Sequence, residues 1–359
     1  MSLLTFNLIR LLGLFTLTTG FSLFWAPQLI KILRKKEFWK KKEQVKTITN
    51  TESTILNSLR EEEKQLVPRS GGILIWFSVL LVIITSLILS KNPSVWWFEK
   101  INFLSRNETW LPLFALIVGS LIGFIDDFLT VRNKGSYVRG GMSFYKRMIA
   151  IILIGLVGGW WVYFKLGWDT IHIPLIGNFP EGIDLFIGYW YIPLFIIVML
   201  ASWASGVVDG LDGLSGGVFA SIFGAFTIIA FAQGKADLAT FCATISGSLL
   251  AFLWFNIPPA KFYMGETGVM GLTSAMTVIA FLTDSIVVLP IIAGVLVIEV
   301  GSIIIQLLSK KYRGKKVWLS TPIHHHFEAI GWPKHSITMR FWIISVVFAV
   351  LGTAIKLLG

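Results

Sequence analysis

Apolar residues in this 359-residue chain come in long blocks. They follow neither the alternation of a half-buried strand nor the one-sided stripe of a surface helix. A membrane-crossing helix needs about 20 such residues. Ten blocks reach or approach that length: about 3–25, 72–90, 111–125, 147–166, 188–206, 214–233, 236–255, 268–283, 285–308 and 341–357. The pattern predicts an all-α polytopic membrane protein with about ten transmembrane helices, a single integral membrane domain over 1–359. The first block reads as a retained span, because it is long and runs into charges rather than a small-residue cleavage site. Between the fourth and fifth blocks, short apolar runs flank Gly177-Asn178 and Pro180-Glu181-Gly182. They predict a small hairpin over Thr170–Ile187.

Charge adds a direction. With both termini outside and ten alternating spans, the inside segments are 31–71, 126–147, 207–213, 256–267 and 309–340. They hold 11, 5, 0, 1 and 7 Lys and Arg, which is 24 of the chain's 31. Such a bias marks cytoplasmic loops, and it leaves the hairpin on the periplasmic side. The basic run Lys31–Lys46 reads as a topology signal beside anionic lipid, and no nucleic-acid reader motif accompanies it. The aromatic clusters Trp96-Trp97-Phe98, Trp160-Trp161 and Tyr189-Trp190-Tyr191 fall where outer-interface belts are expected. Composition agrees: residues are 55% hydrophobic and 14% charged, against about 25% charged in a soluble domain. The one cysteine, Cys242, excludes an intramolecular disulfide and a cysteine-based metal site.

The unusual polar clusters all fall on the inside parity. They are Asp126-Asp127, Asp209-Gly-Leu-Asp212, Gly265-Glu266-Thr267-Gly268 and His324-His325-His326 with Glu328. Carboxylates at a membrane boundary are costly and mark function, so four clusters on one face point to a shared active site. Asp126-Asp127 at the end of a helix opposes the helix dipole and calls for a cation or basic partners. Asp209 and Asp212, three apart, share one face if that turn is helical. The sixth and eighth spans begin at this face with glycine-rich entries, an arrangement suited to phosphate. Carboxylates beside phosphate favour Mg²⁺, a hard cation with oxygen ligands. This reading is Mg²⁺-assisted phosphoryl transfer at the inner membrane face. Neither a Walker A motif nor a dinucleotide glycine fingerprint occurs. Three successive histidines cannot face one site from a regular helix, so irregular backbone is expected after Pro322. Glu299, deep in the ninth span, must be paired or protonated.

In this order the clusters resemble the polyprenyl-phosphate N-acetylhexosamine-1-phosphate transferase superfamily. The resemblance runs from Pro68-Arg-Ser-Gly-Gly72 to Arg340-Phe-Trp342. It is carried by Phe124-Ile-Asp-Asp-Phe128, Asp209-Gly-Leu-Asp-Gly-Leu214 and Phe252-Leu-Trp-Phe-Asn256. Pro322-Ile-His-His-His-Phe-Glu328 with Gly331-Trp-Pro333 is similar to the muramoyl-pentapeptide branch. The resemblance implies transfer of phospho-N-acetylmuramoyl-pentapeptide from UDP to undecaprenyl phosphate in the bacterial inner membrane. Both termini would lie outside and the site would be cytoplasmic. It implies that Glu266 holds Mg²⁺ with Asp209, and that Asp126 and Asp127 deprotonate the lipid phosphate or help bind metal. Asp209, Gly210, Leu211, Asp212, Asn256 and Tyr263 would line the nucleoside and metal region. His324, His325 and His326 would meet the phosphates, with Lys64 and Lys146 or Arg147 as basic partners. The expected partners are the two substrates and the lipid bilayer, with no nucleic acid; a homodimer is left open.

Several positions depart from the family pattern. Glu266 stands where Asp is usual, Trp203 and Gly206 where Asn is usual, and Thr130 where Lys is usual. Pro68-Arg-Ser-Gly-Gly72 is closer to relatives that use UDP-N-acetylglucosamine, which keeps that substrate as an alternative. A transporter or an inactive homologue is the alternative from another class. A transporter would place its polar groups near the bilayer midplane.

Overall fold

The computed structural model describes residues 2–39, 66–92, 97–134 and 141–359. Each apolar block becomes a helix. In chain order these are α1 (Leu3–Lys35), α2 (Ile73–Leu89), α3 (Trp110–Arg132) and α4 (Phe144–Trp160), then α5 (Tyr191–Ala204) and α6 (Leu214–Ala232). The last four are α7 (Ala236–Asn256), α8 (Gly265–Leu282), α9 (Gly294–Arg313) and α10 (Lys334–Leu358). Among the described residues, eight helical segments are long and apolar enough to cross a membrane. Of the other two, α2 is 17 residues long, and α9 carries Glu299 and three basic residues in its last turn. The chain is a multi-pass membrane protein. Large apolar side chains point outward along the peripheral helices, as with Phe24 on α1 and Ile343 on α10. Facing lipid, they carry no aqueous penalty. The expected hairpin forms from β1 (Thr170–Asn178) and β2 (Gly182–Phe186), antiparallel from Thr170↔Phe186 to Ile173↔Ile183.

The helices overrun the apolar blocks. α1 continues from 25 to 35 through Lys31, Arg34 and Lys35, and α10 starts at Lys334 rather than at 341. α3 runs on to Arg132, so Asp126-Asp127 lies inside the helix, more than a turn before its end. Backbone hydrogen bonding continues past the last apolar residue until a residue such as Asn133, with φ 51, breaks it. The ninth block departs the other way. A short turn at Leu289–Ile292 precedes a break at Ala293, and α9 follows from Gly294.

α8 is the central post. It is buried along its length except at Glu266, and it packs most extensively on α3. Small residues set that spacing: a Cβ at Gly123 would strike the Glu266 carbonyl, and one at Gly271 would strike Ser120. Close backbone approach through small residues is how membrane helices gain contact without a hydrophobic drive. The approach also brings Asp126 and Asp127 beside the first turn of α8.

The two ends of the bundle differ. At one end, Arg10 pairs with Asp237, Lys235 donates to the Leu282 carbonyl, and His172 meets Asp184 and Gly359. At the other end, the acidic clusters converge.

Candidate active site

Asp127 is buried and acts as a cap for α8. Its Oδ2 accepts from Ser70 Oγ at 2.9 Å and from Thr267 N at 3.1 Å; its Oδ1 accepts from Glu266 N at 3.2 Å. Arg69 Nε lies 3.7 Å from Oδ1. Asp209 continues this arrangement: Oδ2 accepts from Gly265 N at 2.9 Å and Oδ1 from Ser215 Oγ at 2.8 Å. The first three amides of α8 therefore already face carboxylates, where a helix dipole favours negative charge. The expectation that this N-terminus holds a phosphate is corrected accordingly, since the protein's own acids occupy its donors.

Asp126 and Glu266 meet across Arg147. Arg147 Nη1 donates to Glu266 Oε1 at 3.3 Å and lies 3.8 Å from Asp126 Oδ2, while Asp126 Oδ1 accepts from Met142 N at 2.6 Å. Of the two basic candidates on α4, Arg147 reaches the acids and Lys146 is exposed. Lys64 falls outside the described residues. The Pro68–Gly72 motif adds Arg69 and Ser70, which both meet Asp127. Burial opposes the Arg69 charge, but Asp127, Asp209, Glu266 and Asp126 outweigh it and raise its pKa above the usual value.

Asp209 and Asp212 do not share a face, because 209–213 is a turn rather than a helix. Asp212 Oδ2 instead accepts from Ala260 N at 3.0 Å. Asn256, expected to line a binding region, is buried: its Oδ1 accepts from Gly213 N and its Nδ2 donates to the Phe262 carbonyl. Tyr263 joins through its backbone, which pairs with Pro68 and Gly71. Leu211 is buried, and Gly210 is exposed on its outer side. These bonds stitch the Asp209–Gly213 turn to the 256–265 loop and so fix both against α8.

The histidines also depart from expectation. They occupy a regular short helix, Ile323–Ala329, with Pro322 as its N-cap. Successive side chains diverge there. His324 is fully buried and pairs with Glu299 at 2.8 Å, His325 pairs with Glu328 at 2.8 Å, and His326 Nδ1 accepts from Leu319 N at 3.4 Å. Glu299 thus has a named partner. The unusual residues have packing roles as well: Trp203 packs on Phe144, and Gly206 leaves room for Val269.

The acid site has the chemistry for a divalent cation. Four carboxylates (Asp126, Asp127, Asp209, Glu266) face two guanidiniums (Arg69, Arg147), a formal excess of two negative charges among the described residues. The donors are hard oxygens, which suit Mg²⁺. A polar cavity of about 420 Å³ lies at the other end, lined by His172, Asp284, Lys235, Lys356 and Gln233. His172, Asp184 and Asp284 are close enough to one another to share an ion. However, both His172 ring nitrogens are hydrogen-bonded, and Lys235 and Lys356 already face these acids.

A polytopic bundle with carboxylates and guanidiniums gathered at one end is a membrane protein with a charged site at one face. The family model described as glycosyl transferase family 4 matches residues 109–284. Curated relatives named phospho-N-acetylmuramoyl-pentapeptide-transferase cover most of the chain. One from Geobacillus sp. (strain WCH70) is 38% identical over 309 residues, covering 83% of this chain and 88% of the relative. One from Oceanobacillus iheyensis is 39% identical over 312 residues, with the same coverage. One from Bacillus subtilis (strain 168) is 35% identical over 352 residues, covering 96% and 97%. The chain belongs to the phospho-N-acetylmuramoyl-pentapeptide-transferase family.

Proposed function

We propose that this chain transfers phospho-N-acetylmuramoyl-pentapeptide from UDP to undecaprenyl phosphate, with Mg²⁺, at the cytoplasmic face of the bacterial inner membrane. A lipid phosphate oxygen attacks the sugar-linked phosphorus, the bridging P–O bond breaks, and UMP leaves. The observation that carries this reading is the set of four carboxylates and two arginines around the first turn of α8, in a chain of this family. Both reactants are anionic, so catalysis is mostly charge neutralisation and positioning. Bound Mg²⁺ would neutralise the diphosphate, with Glu266 and Asp209 as its protein ligands. Asp126 Oδ2 lies 3.8 Å from Arg147 Nη1 and is the less committed oxygen of the acidic pair. We assign it the proton of the lipid phosphate. Asp127 is bonded through both oxygens and holds α8 in register. Arg69 and Arg147 would face the transferred phosphates. The cytoplasmic placement is supported by the Lys and Arg bias of the loops at this end.

The test is UMP release by purified protein with undecaprenyl phosphate and Mg²⁺, offering UDP-N-acetylmuramoyl-pentapeptide and UDP-N-acetylglucosamine in parallel. Release with the muramoyl substrate alone is expected, abolished by EDTA and restored by Mg²⁺. Release with UDP-N-acetylglucosamine alone would transfer the chain to the sister activity that Pro68-Arg-Ser-Gly-Gly72 suggests. No release from folded protein with either substrate would overturn the transferase reading.

A further inference from the structure

We propose that Glu299 is a positioning residue of the acid site, acting through His324 on the Asp209–Gly213 turn. The inference rests on the transferase reading for its kinetic consequence and on the geometry alone for its mechanical one. Glu299 and His324 are both fully buried, and Glu299 Oε2 lies 2.8 Å from His324 Nδ1. The two atoms share one hydrogen bond. That bond fixes the ring plane and aims Nε2 away from α9. Nε2 has no hydrogen-bond partner among the described residues. It abuts Gly210, so closely that a Cβ added there would collide with it.

Gly210 follows Asp209 and, with Leu211, lies between the two acids of the turn. On one side Asp209 holds the Gly265 amide and Ser215; two residues on, Asp212 holds the Ala260 amide. α9 also packs on Ser205–Val208, the turn that leads into Asp209. Glu299 and His324 thus form a strut from a membrane helix to the underside of the turn. The turn in turn places the Asp209 carboxylate at the start of α8, beside Glu266. A carboxylate inside an apolar helix is expensive to keep, and this support is what it supplies. His324 therefore supports the site from below, while the exposed side of Gly210 faces away from the ring.

Two measurements test this. In UMP-release kinetics, Glu299→Leu and His324→Asn should each lower kcat about 10- to 100-fold, the usual cost of loosening a supporting contact, with KM for the sugar nucleotide close to wild type. Glu299→Gln keeps the reach and the acceptor and should retain most of the activity. The double variant Glu299→Leu/His324→Asn should be no worse than the weaker single, because the two residues act as one unit. Wild-type kcat in Glu299→Leu, or additive losses in the double variant, would overturn the proposal.

The second measurement needs no activity. Gly210→Ala should lower the melting temperature in detergent, and adding His324→Asn, which deletes Nε2, should recover part of that loss. An unchanged loss would mean that His324 does not bear on Gly210. If wild-type protein releases no UMP, the transferase reading fails while the melting experiment still decides the strut.

Discussion

At the scale of single residues, the site is built from acids that bond to backbone amides. Asp127 accepts from two amides and a hydroxyl while buried. Asp127→Asn puts an N–H where an acceptor is needed and leaves Arg69 without its nearest charge. We expect a loss of about 3 kcal/mol, the scale for breaking a buried charged contact, seen as a lower melting temperature together with lost UMP release. Asp126→Asn should abolish release with little change in melting temperature, because its loss removes a proton acceptor more than a support. Asp126, Asp127, Asp209 and Glu266 could be found in the sequence because carboxylates at a membrane boundary are rare and these share one parity. Arg69 and Ser70 could not: their relevance depends on the Pro68–Gly72 loop folding over α8, through bonds such as Gly72 N to the Met264 carbonyl. The directions of Asn256 and His324 were equally hidden, since polar identity alone does not say whether a side chain faces a substrate or a neighbouring loop.

At the scale of elements, the contact between α3 and α8 sets the geometry of the acids. Gly123→Ala pushes a methyl group into the Glu266 carbonyl. Overpacking of this kind costs about 1–3 kcal/mol, and here it should also part Asp126 from Glu266, so melting temperature and turnover fall together. Gly224 on α6 has open space around it. Gly224→Ala should therefore stabilise the helix by about 0.5–1 kcal/mol with activity unchanged.

The short helix Ile323–Ala329 carries a pH signature. Burial alone would raise the Glu328 pKa, but the hydrogen bond from His325 and the charge of Lys334 outweigh it and lower the value. A depressed carboxylate stabilises the fold above its unfolded pKa, about 4.3, and loses that contribution as pH falls through the lower folded value. Protection of the amides in this helix against exchange, relative to the intrinsic rate at each pH, should fall as pH drops below about 4, and Glu328→Gln should remove the dependence. All ten helices were visible as apolar blocks, but their ends were not. Hydropathy reports where lipid stops, whereas the helix stops where hydrogen bonding does, as at Asn133.

At the scale of the whole molecule, the bundle separates two ends. The hairpin, the start of α1 and the end of α10 gather at one; the acids and the basic last turn of α9 gather at the other. The parity of the apolar blocks and the Lys and Arg count made this separation legible before any contact was known. The single thiol, Cys242, is buried in α7, so the topology can be read with introduced cysteines. An impermeant maleimide should label Phe179→Cys, on the exposed hairpin turn, from outside intact cells. It should label Lys311→Cys only after permeabilisation, and the reverse result would invert the orientation. The capping of α8 also bears on how the protein is made. Asp126 and Asp127 lie on α3, and the amides at Gly265–Thr267 that receive Asp127 and Asp209 emerge only when α8 is made, five helices later. Until then these carboxylates sit at the bilayer boundary with few of their final partners. A chain arrested before α8 would hold these carboxylates without the amides that receive them in the finished fold.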